Sequence, residues 1–282
     1  METHPLFQQV APEQPKYPSN LFKALHNFMG GISTPVQNPM AAKYGRAYDL
    51  LISGDAHRYK EDIDLAISQY EEALKLRTDL TEAHVGIAKC YRRKGHFKGA
   101  ITSFKQALSH NPFQKEVHIE LGKCYNESGQ LGLAIKSYEK AIKLDPKCVE
   151  AKFGLALILE LNQEMDYASR LYQEIIALDS EFLPAYNNLG SIFVRLGLYT
   201  PAEKIFRELV EKAPEFLRGH LGLAMTLDKA GKRKEALDTY YYVLDQKPNA
   251  RNVSFIEKRI VAIKRELGHI KTRNNTTLVL VK

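Results

Sequence analysis

From residue 47 to residue 250 short apolar-and-small runs alternate with polar breaks, and the runs recur in register. One column of small residues contains Ala88, Gly122, Ala156, Gly190 and Ala224, and a second contains Ala66, Ala100, Ala134, Ala168, Ala202 and Ala236. An aromatic column stands four residues after the second: Tyr70, Phe104, Tyr138, Tyr172, Phe206 and Tyr240. Each column steps by 34 residues, and Pro112, Pro146, Pro214 and Pro248 keep the same phase, with Ser180 in the gap. Small residues at fixed spacing let two helix backbones approach, and an aromatic one turn later fills the groove beside them. Each unit is therefore predicted to be an antiparallel helix pair. Gly95, Gly129, Gly197 and Gly231 fall midway through their units, where a chain leaving a helix needs a residue at ease with positive φ. Thr200-Pro201 predicts a helix N-cap followed by the first helical residue.

The pattern predicts an all-α fold, a right-handed α-solenoid of about six 34-residue units with a C-terminal capping helix. The solenoid occupies residues 41–250, with units at 47–80, 81–114, 115–148, 149–182, 183–216 and 217–250. The first unit looks imperfect, because Ser53-Gly54 stands where Leu-Gly or Ile-Ala is expected. Residues 251–268 carry Val253, Ile256, Ile260, Ile263 and Leu267 on one helical stripe, a cap stopped by Gly268. Residues 269–282 are expected to be a loose tail. Residues 1–40 hold six prolines and read as a flexible arm. Within the arm, Ser19–Gly31 places Leu21, Phe22, Leu25, Phe28 and Met29 for one short amphipathic helix. Docking on the first unit is the expectation for it, with groove occupancy or a partner or membrane contact as alternatives.

The repeat resembles the tetratricopeptide repeat, whose pattern of Leu-Gly, Tyr, Ala, Phe and Pro is met by Leu121-Gly122, Tyr125, Ala134, Tyr138 and Pro146. The likeness extends over residues 47–250. One departure is the fourth position of each unit, where the family's Trp is replaced by His84, His118, Lys152, Tyr186 and His220, in a chain without Trp. Looser packing is expected there. The resemblance implies that the first helices build a concave wall, lined by the second, fifth, ninth and twelfth residues of each unit. On that wall Lys89, Arg92 and Lys123 make a basic section, with Asn126 beside it. Ile119, Phe153, Leu157, Val194, Leu221 and Met225 make an apolar section, with Asn187 placed to bond a ligand backbone. The carboxylate clamp of chaperone-binding relatives is matched only by Asn188 and Arg218. The implied partner is a protein or peptide segment, amphipathic and acidic at one end.

Charge changes this picture little. The formal net charge is +7, yet residues 251–282 hold eight cations and two anions, so the body is nearly neutral. Nucleic acid is an unlikely partner on that distribution. An alternative is that Lys232-Arg233-Lys234, with Arg251, Lys258, Arg259, Lys264 and Arg265, docks RNA, anionic lipid or an acidic protein, against a plain solubilising end. No glycine-rich phosphate loop, H-E-x-x-H or C-x-x-C occurs. His84 and His118, like Cys90 and Cys124, are one unit apart, about 10 Å in stacked helices, too far to share one ion. No catalytic residue, metal or cofactor is expected, and the chain reads as no enzyme. It reads as a scaffold or adaptor, with a regulatory subunit of an enzyme complex as the alternative and self-association possible. Three cysteines, no apolar span of membrane length and an opening METHPLFQQVAPEQPKYP without a signal pattern lead to a cytoplasmic expectation.

Overall fold

The computed structural model describes residues 39–246, 249–268, 270–272 and 278–280. The expected arm helix Ser19–Gly31 lies outside the described residues. Thirteen helices follow one another among the described residues: α1 (Pro39–Tyr59), α2 (Ile63–Leu76), α3 (Thr81–Arg93), α4 (Phe97–His110), α5 (Lys115–Glu127), α6 (Leu131–Leu144), α7 (Val149–Leu161), α8 (Met165–Leu178), α9 (Leu183–Arg195), α10 (Tyr199–Lys212), α11 (Leu217–Lys229), α12 (Arg233–Asp245) and α13 (Ala250–Glu266). Each helix packs on the next, as in an all-α solenoid of two-helix units. The first helix starts at Pro39, upstream of the unit boundary drawn from the repeat. Within the stretch expected to be a loose tail, β1 (Ile270–Thr272) and β2 (Leu278–Leu280) pair antiparallel, with Lys271 opposite Val279.

The turns inside the units obey the glycine signal. Gly95, Gly129, Gly197 and Gly231 have φ of 72°, 77°, 75° and 81°, and the two units without glycine use Glu61 and Gln163 at φ 65°. Thr200 and Pro201 differ from expectation: α10 begins at Tyr199 after an N-cap at Leu198, so both lie inside the first turn. Proline is tolerated there because its missing N–H has no partner in a first turn. The fourth-position column is not loose. His84, His118 and His220 reach with Nε2 to the carbonyls of Thr78, Pro112 and Pro214, at 3.3, 3.0 and 2.8 Å. Each fastens the loop before its own helix. In the same column Lys152 pairs with Glu174, and the Tyr186 hydroxyl donates to Glu208 at 3.0 Å.

The aromatic column is the core, and it is set in two different ways. Tyr70, Tyr138 and Phe206, in units one, three and five, lie between two glycines: Gly54 and Gly86, Gly122 and Gly154, Gly190 and Gly222. A Cβ at any of these six would come within 3 Å of ring atoms. In units two, four and six the first position of this sandwich is Ala88, Ala156 or Ala224, all fully buried. The second is Glu120, Asn188 or Ile256. Gly54 is thus in register with Gly122 and Gly190, and the first unit is not imperfect at this point. The repeat has a superperiod of two units. Helix spacing follows it: first-helix backbones come close in α1/α3, α5/α7 and α9/α11 and stand further apart in α3/α5, α7/α9 and α11/α13. Glycine permits the close approach because it removes the side-chain atom that would separate the backbones. The solenoid therefore alternates tight seams with wide ones.

Candidate functional site

Side chains of the first helices that are not consumed by packing lie mostly at the wide seams. Between α3 and α5 the expected basic section turns out to be an ion-pair network. Arg92 meets Glu127 at 3.1 Å and Glu120 at 3.4 Å; Lys123 meets Glu120 at 3.0 Å and Glu150 at 2.5 Å. Glu120 stands at the centre, its side chain only 16% exposed. Its Oε2 is fully buried without a hydrogen bond, 3.4 Å from Arg92. Burial pushes the Glu120 carboxyl up, but Lys123, Arg92 and Lys89 outweigh it and hold it below the usual carboxylate range. Glu127 goes the other way, raised by burial despite Arg92. Arg92 and Lys123 are therefore occupied by the chain's own carboxylates. Lys89 is half-buried and has no ion-pair partner within 4 Å among the described residues. Asn126 is half-buried, whereas Ile119 is buried in the core and cannot line a surface.

The wide seam between α7 and α9 has the same framework with other chemistry. Glu160 and Arg195, at the positions of Arg92 and Glu127, pair at 3.0 Å with the signs exchanged. Arg195 also bonds Gln163 at 3.0 Å. The Tyr172 hydroxyl donates to Glu160 at 3.3 Å and accepts from Asn188 at 3.1 Å, and Asn187 donates to Asn188 at 3.3 Å. Burial, then the Glu160 charge, raises the Tyr172 phenol, which stays protonated at neutral pH. Phe153 is half-buried, edge-on to Phe182 with ring centroids 5.0 Å apart and tilted over Tyr172 at 6.0 Å. Leu157 beside it is likewise half-buried.

The third wide seam, below the cap, holds a buried acid. Asp228 has a side chain 6% exposed and receives Arg259 Nε at 2.8 Å, Arg233 Nη1 at 2.6 Å and the Tyr240 hydroxyl at 3.4 Å. Arg233 continues to Glu266 at 2.6 Å. Lys232 pairs with Glu203 at 2.8 Å, and Lys264 sits over the Tyr241 ring at 5.3 Å. Arg233, Arg259 and Lys264 of the C-terminal basic cluster thus hold α13 in place, whereas Lys234, Lys258 and Arg265 are exposed. A hollow of about 380 Å³ lies here, touching Met225, Asp228, Phe255 and Arg259. Leu221 and Met225 are half-buried against the adjoining core, and Arg218 is exposed. A larger hollow, about 750 Å³, sits at the turns of units two and three, lined by Tyr91, His96 and Gln130.

Sequence reasoning missed Glu120, Glu127 and the tyrosine hydroxyls, because none falls at the four wall positions it weighed. The signal was present in the column at position six, where glycine alternates with Glu120 and Asn188. Cys90 and Cys124 are free and buried, and burial pushes the Cys124 thiol up to about 12. Among the described residues no group of three or more His, Cys, Asp or Glu is arranged to hold a metal ion. No described helix is long and apolar enough to cross a membrane.

Family models described as tetratricopeptide repeat match residues 50–79, 81–113, 116–148 and 187–251. Among solved structures, MamA is 28% identical, with a TM-score of 0.55 over 57% of this chain and 95% of MamA. YrrB, described as a TPR protein with an unusual peptide-binding site, is 19% identical, with a TM-score of 0.52 over 60% of this chain and 88% of its own. The pilF protein of Pseudomonas aeruginosa is 14% identical, with a TM-score of 0.64 over 77% and 99%. The latter two are likenesses of fold. No curated protein matches.

Proposed function

Because the chain belongs to the tetratricopeptide repeat family, we propose that it is a non-catalytic scaffold whose wall of first helices binds a peptide or helical segment of a partner protein. The observation that carries this reading is the wide seam between α7 and α9. There Phe153 and Leu157 remain partly open to solvent beside the amides of Asn187 and Asn188, an apolar surface with polar groups to fix a backbone. An acidic group of the ligand has Lys89 as its open cation. Arg92 and Lys123 become available to it only by release of Glu127 or Glu150. The electrostatic share of affinity is therefore small, about 1 kcal/mol for one half-exposed contact. Burying apolar side chains supplies most of the rest, on the order of 2 kcal/mol for each well-filled contact. The reading fits a reducing compartment such as the cytoplasm, where free thiols persist.

The test uses proteins captured from cells on the tagged full chain and then purified for titration. Changing Phe153 and Leu157 together to Ser should weaken binding at least tenfold, while Lys89→Glu weakens it a few-fold. Binding by the Phe153/Leu157 double variant equal to wild type would show that the partner sits elsewhere. Turnover of a substrate by the purified chain would overturn the non-catalytic part of the reading.

A further inference from the structure

The sixth residue of each unit faces the aromatic of the unit before it: Gly86 faces Tyr70, Gly154 faces Tyr138, Gly222 faces Phe206, and Asn188 bonds Tyr172. Ile52 holds this position in the first unit, which no described unit precedes. It is 42% exposed. At the opposite end the same position is Ile256, 0% exposed in the cluster that contains Tyr240. The two ends present the same residue type at the same place, one covered by its neighbour and one open. Tyr48, four residues before Ile52, and Tyr59, seven after it, share its face of α1 and are 44% and 48% exposed. The opposite face, with Ala47, Leu51 and Gly54, packs into the solenoid. The first helix thus carries a second apolar stripe.

We propose that this stripe is covered by the chain's own Ser19–Gly31 segment, which closes the N-terminal end of the solenoid as α13 closes the other. The sequence supplies a matching apolar set: Leu21, Phe22, Leu25, Phe28 and Met29 have the spacing that would put them on one side if these 13 residues formed a helix, which would be about 20 Å long. Residues 32–38 separate it from α1. Seven residues reach at most about 25 Å, enough to turn back and run antiparallel along the first turns of α1. In that arrangement Phe22 and Leu25 come to Ile52 and Tyr48. Tyr48 is held by Arg77, which donates to its hydroxyl at 2.7 Å and lies over its ring 5.5 Å from the centroid. The occupant is tethered, and a tether of this length gives an effective concentration in the millimolar range, well above that of a second copy in dilute solution. The proposal does not rest on peptide binding by the wall.

The chain has no Trp, so Phe22→Trp in the full chain gives one unambiguous emission signal. The expected result is blue-shifted emission with iodide quenching several-fold below that of free tryptophan, unchanged on hundredfold dilution. Ile52→Asp or Tyr48→Ser should return emission and quenching to solvent-exposed values while helicity by circular dichroism is retained. Both outer positions are open, so either variant leaves the core intact. Emission typical of exposed tryptophan in the parent would overturn the proposal. So would a shift that survives Ile52→Asp and Tyr48→Ser but disappears in the Phe153/Leu157 serine variant, which would place the segment on the wall. A shift that fades on dilution would overturn it in favour of a second copy.

Discussion

The seam between units three and four and the seam between units four and five are built from the same helix types, yet they close differently. In the first, Tyr138 is held between Gly122 and Gly154, and α5 and α7 lie close together. In the second, Tyr172 meets Ala156 and Asn188, α7 and α9 stand further apart, and Glu160 and Arg195 bridge them. The tight seam depends on shape, where one extra carbon cannot be accommodated. The wide seam depends on hydrogen bonds around the buried Tyr172 hydroxyl and on an ion pair whose Arg195 end faces water. A repeat protein can in this way place its rigidity and its adaptable polar surface in alternation. The pairs Arg92–Glu127, Glu160–Arg195 and Asp228–Arg259 cross the three wide seams, whereas Lys123–Glu150 crosses a tight one.

The sharpest way to break the comparison is to put one bulky side chain at the same position of each seam. Gly222→Leu should cost about 3 kcal/mol or more, because its Cβ would fall 2.3 Å from the buried Phe206 ring, whereas Asn188→Leu should cost about 1 kcal/mol through the lost bond to Tyr172. Urea unfolding midpoints of the two variants would measure the difference, and equal losses would erase the distinction. Next in size is Asp228→Ala. It leaves Arg233 and Arg259 without their shared acid and should cost about 2 kcal/mol, below the range for fully buried pairs because both guanidinium groups are partly solvated. Hydrogen exchange should localise the loss to α13 before the rest of the array.

A smaller effect separates both seam types from the loops that join them. His84 and His118 have pKa values lowered by burial, only partly offset by their bonds to the Thr78 and Pro112 carbonyls. His118 Nδ1 is buried with no partner, so a second proton there would face apolar surroundings. A lowered histidine pKa means that the folded state binds fewer protons than the unfolded one. This stability is complete above the unfolded value of about 6.5 and is lost as pH falls through the folded values. Thermal midpoints should fall between pH 7.5 and 5, and His118→Gln should reduce the slope. The smallest expected effect is at the bridge itself. Arg195→Glu should cost about 0.5 kcal/mol, and adding Glu160→Arg should restore it, as double-mutant midpoints would show.

The unit length, the helix pairs and the C-terminal cap were legible because small and aromatic residues keep phase over six units, and packing leaves such columns few alternatives. Ile256, Ile260 and Ile263 are buried on α13 as their spacing predicts. The candidate site was legible in place more than in chemistry. Lys89, Arg92 and Lys123 read as a basic section because Glu120 lies one position outside the weighed set, and a sequence does not show that its carboxylate turns inward. Ile119 illustrates the same limit, since a wall position can also be a core position. The alternation of glycine and alanine down one column was visible from the start. Its meaning required the ring positions, because only the distance from each Cβ to an aromatic tells a tolerated alanine from a forbidden one.

The sandwiching of Tyr70, Tyr138 and Phe206 has a consequence for how a protein of this kind can change length. Removing or duplicating one unit would set glycine on one side of a ring against Glu or Asn on the other, or alanine against glycine, and the joined surfaces would no longer complement each other. Removing or duplicating two restores the match. Growth and shortening of this array are therefore compatible with its joints only in steps of 68 residues.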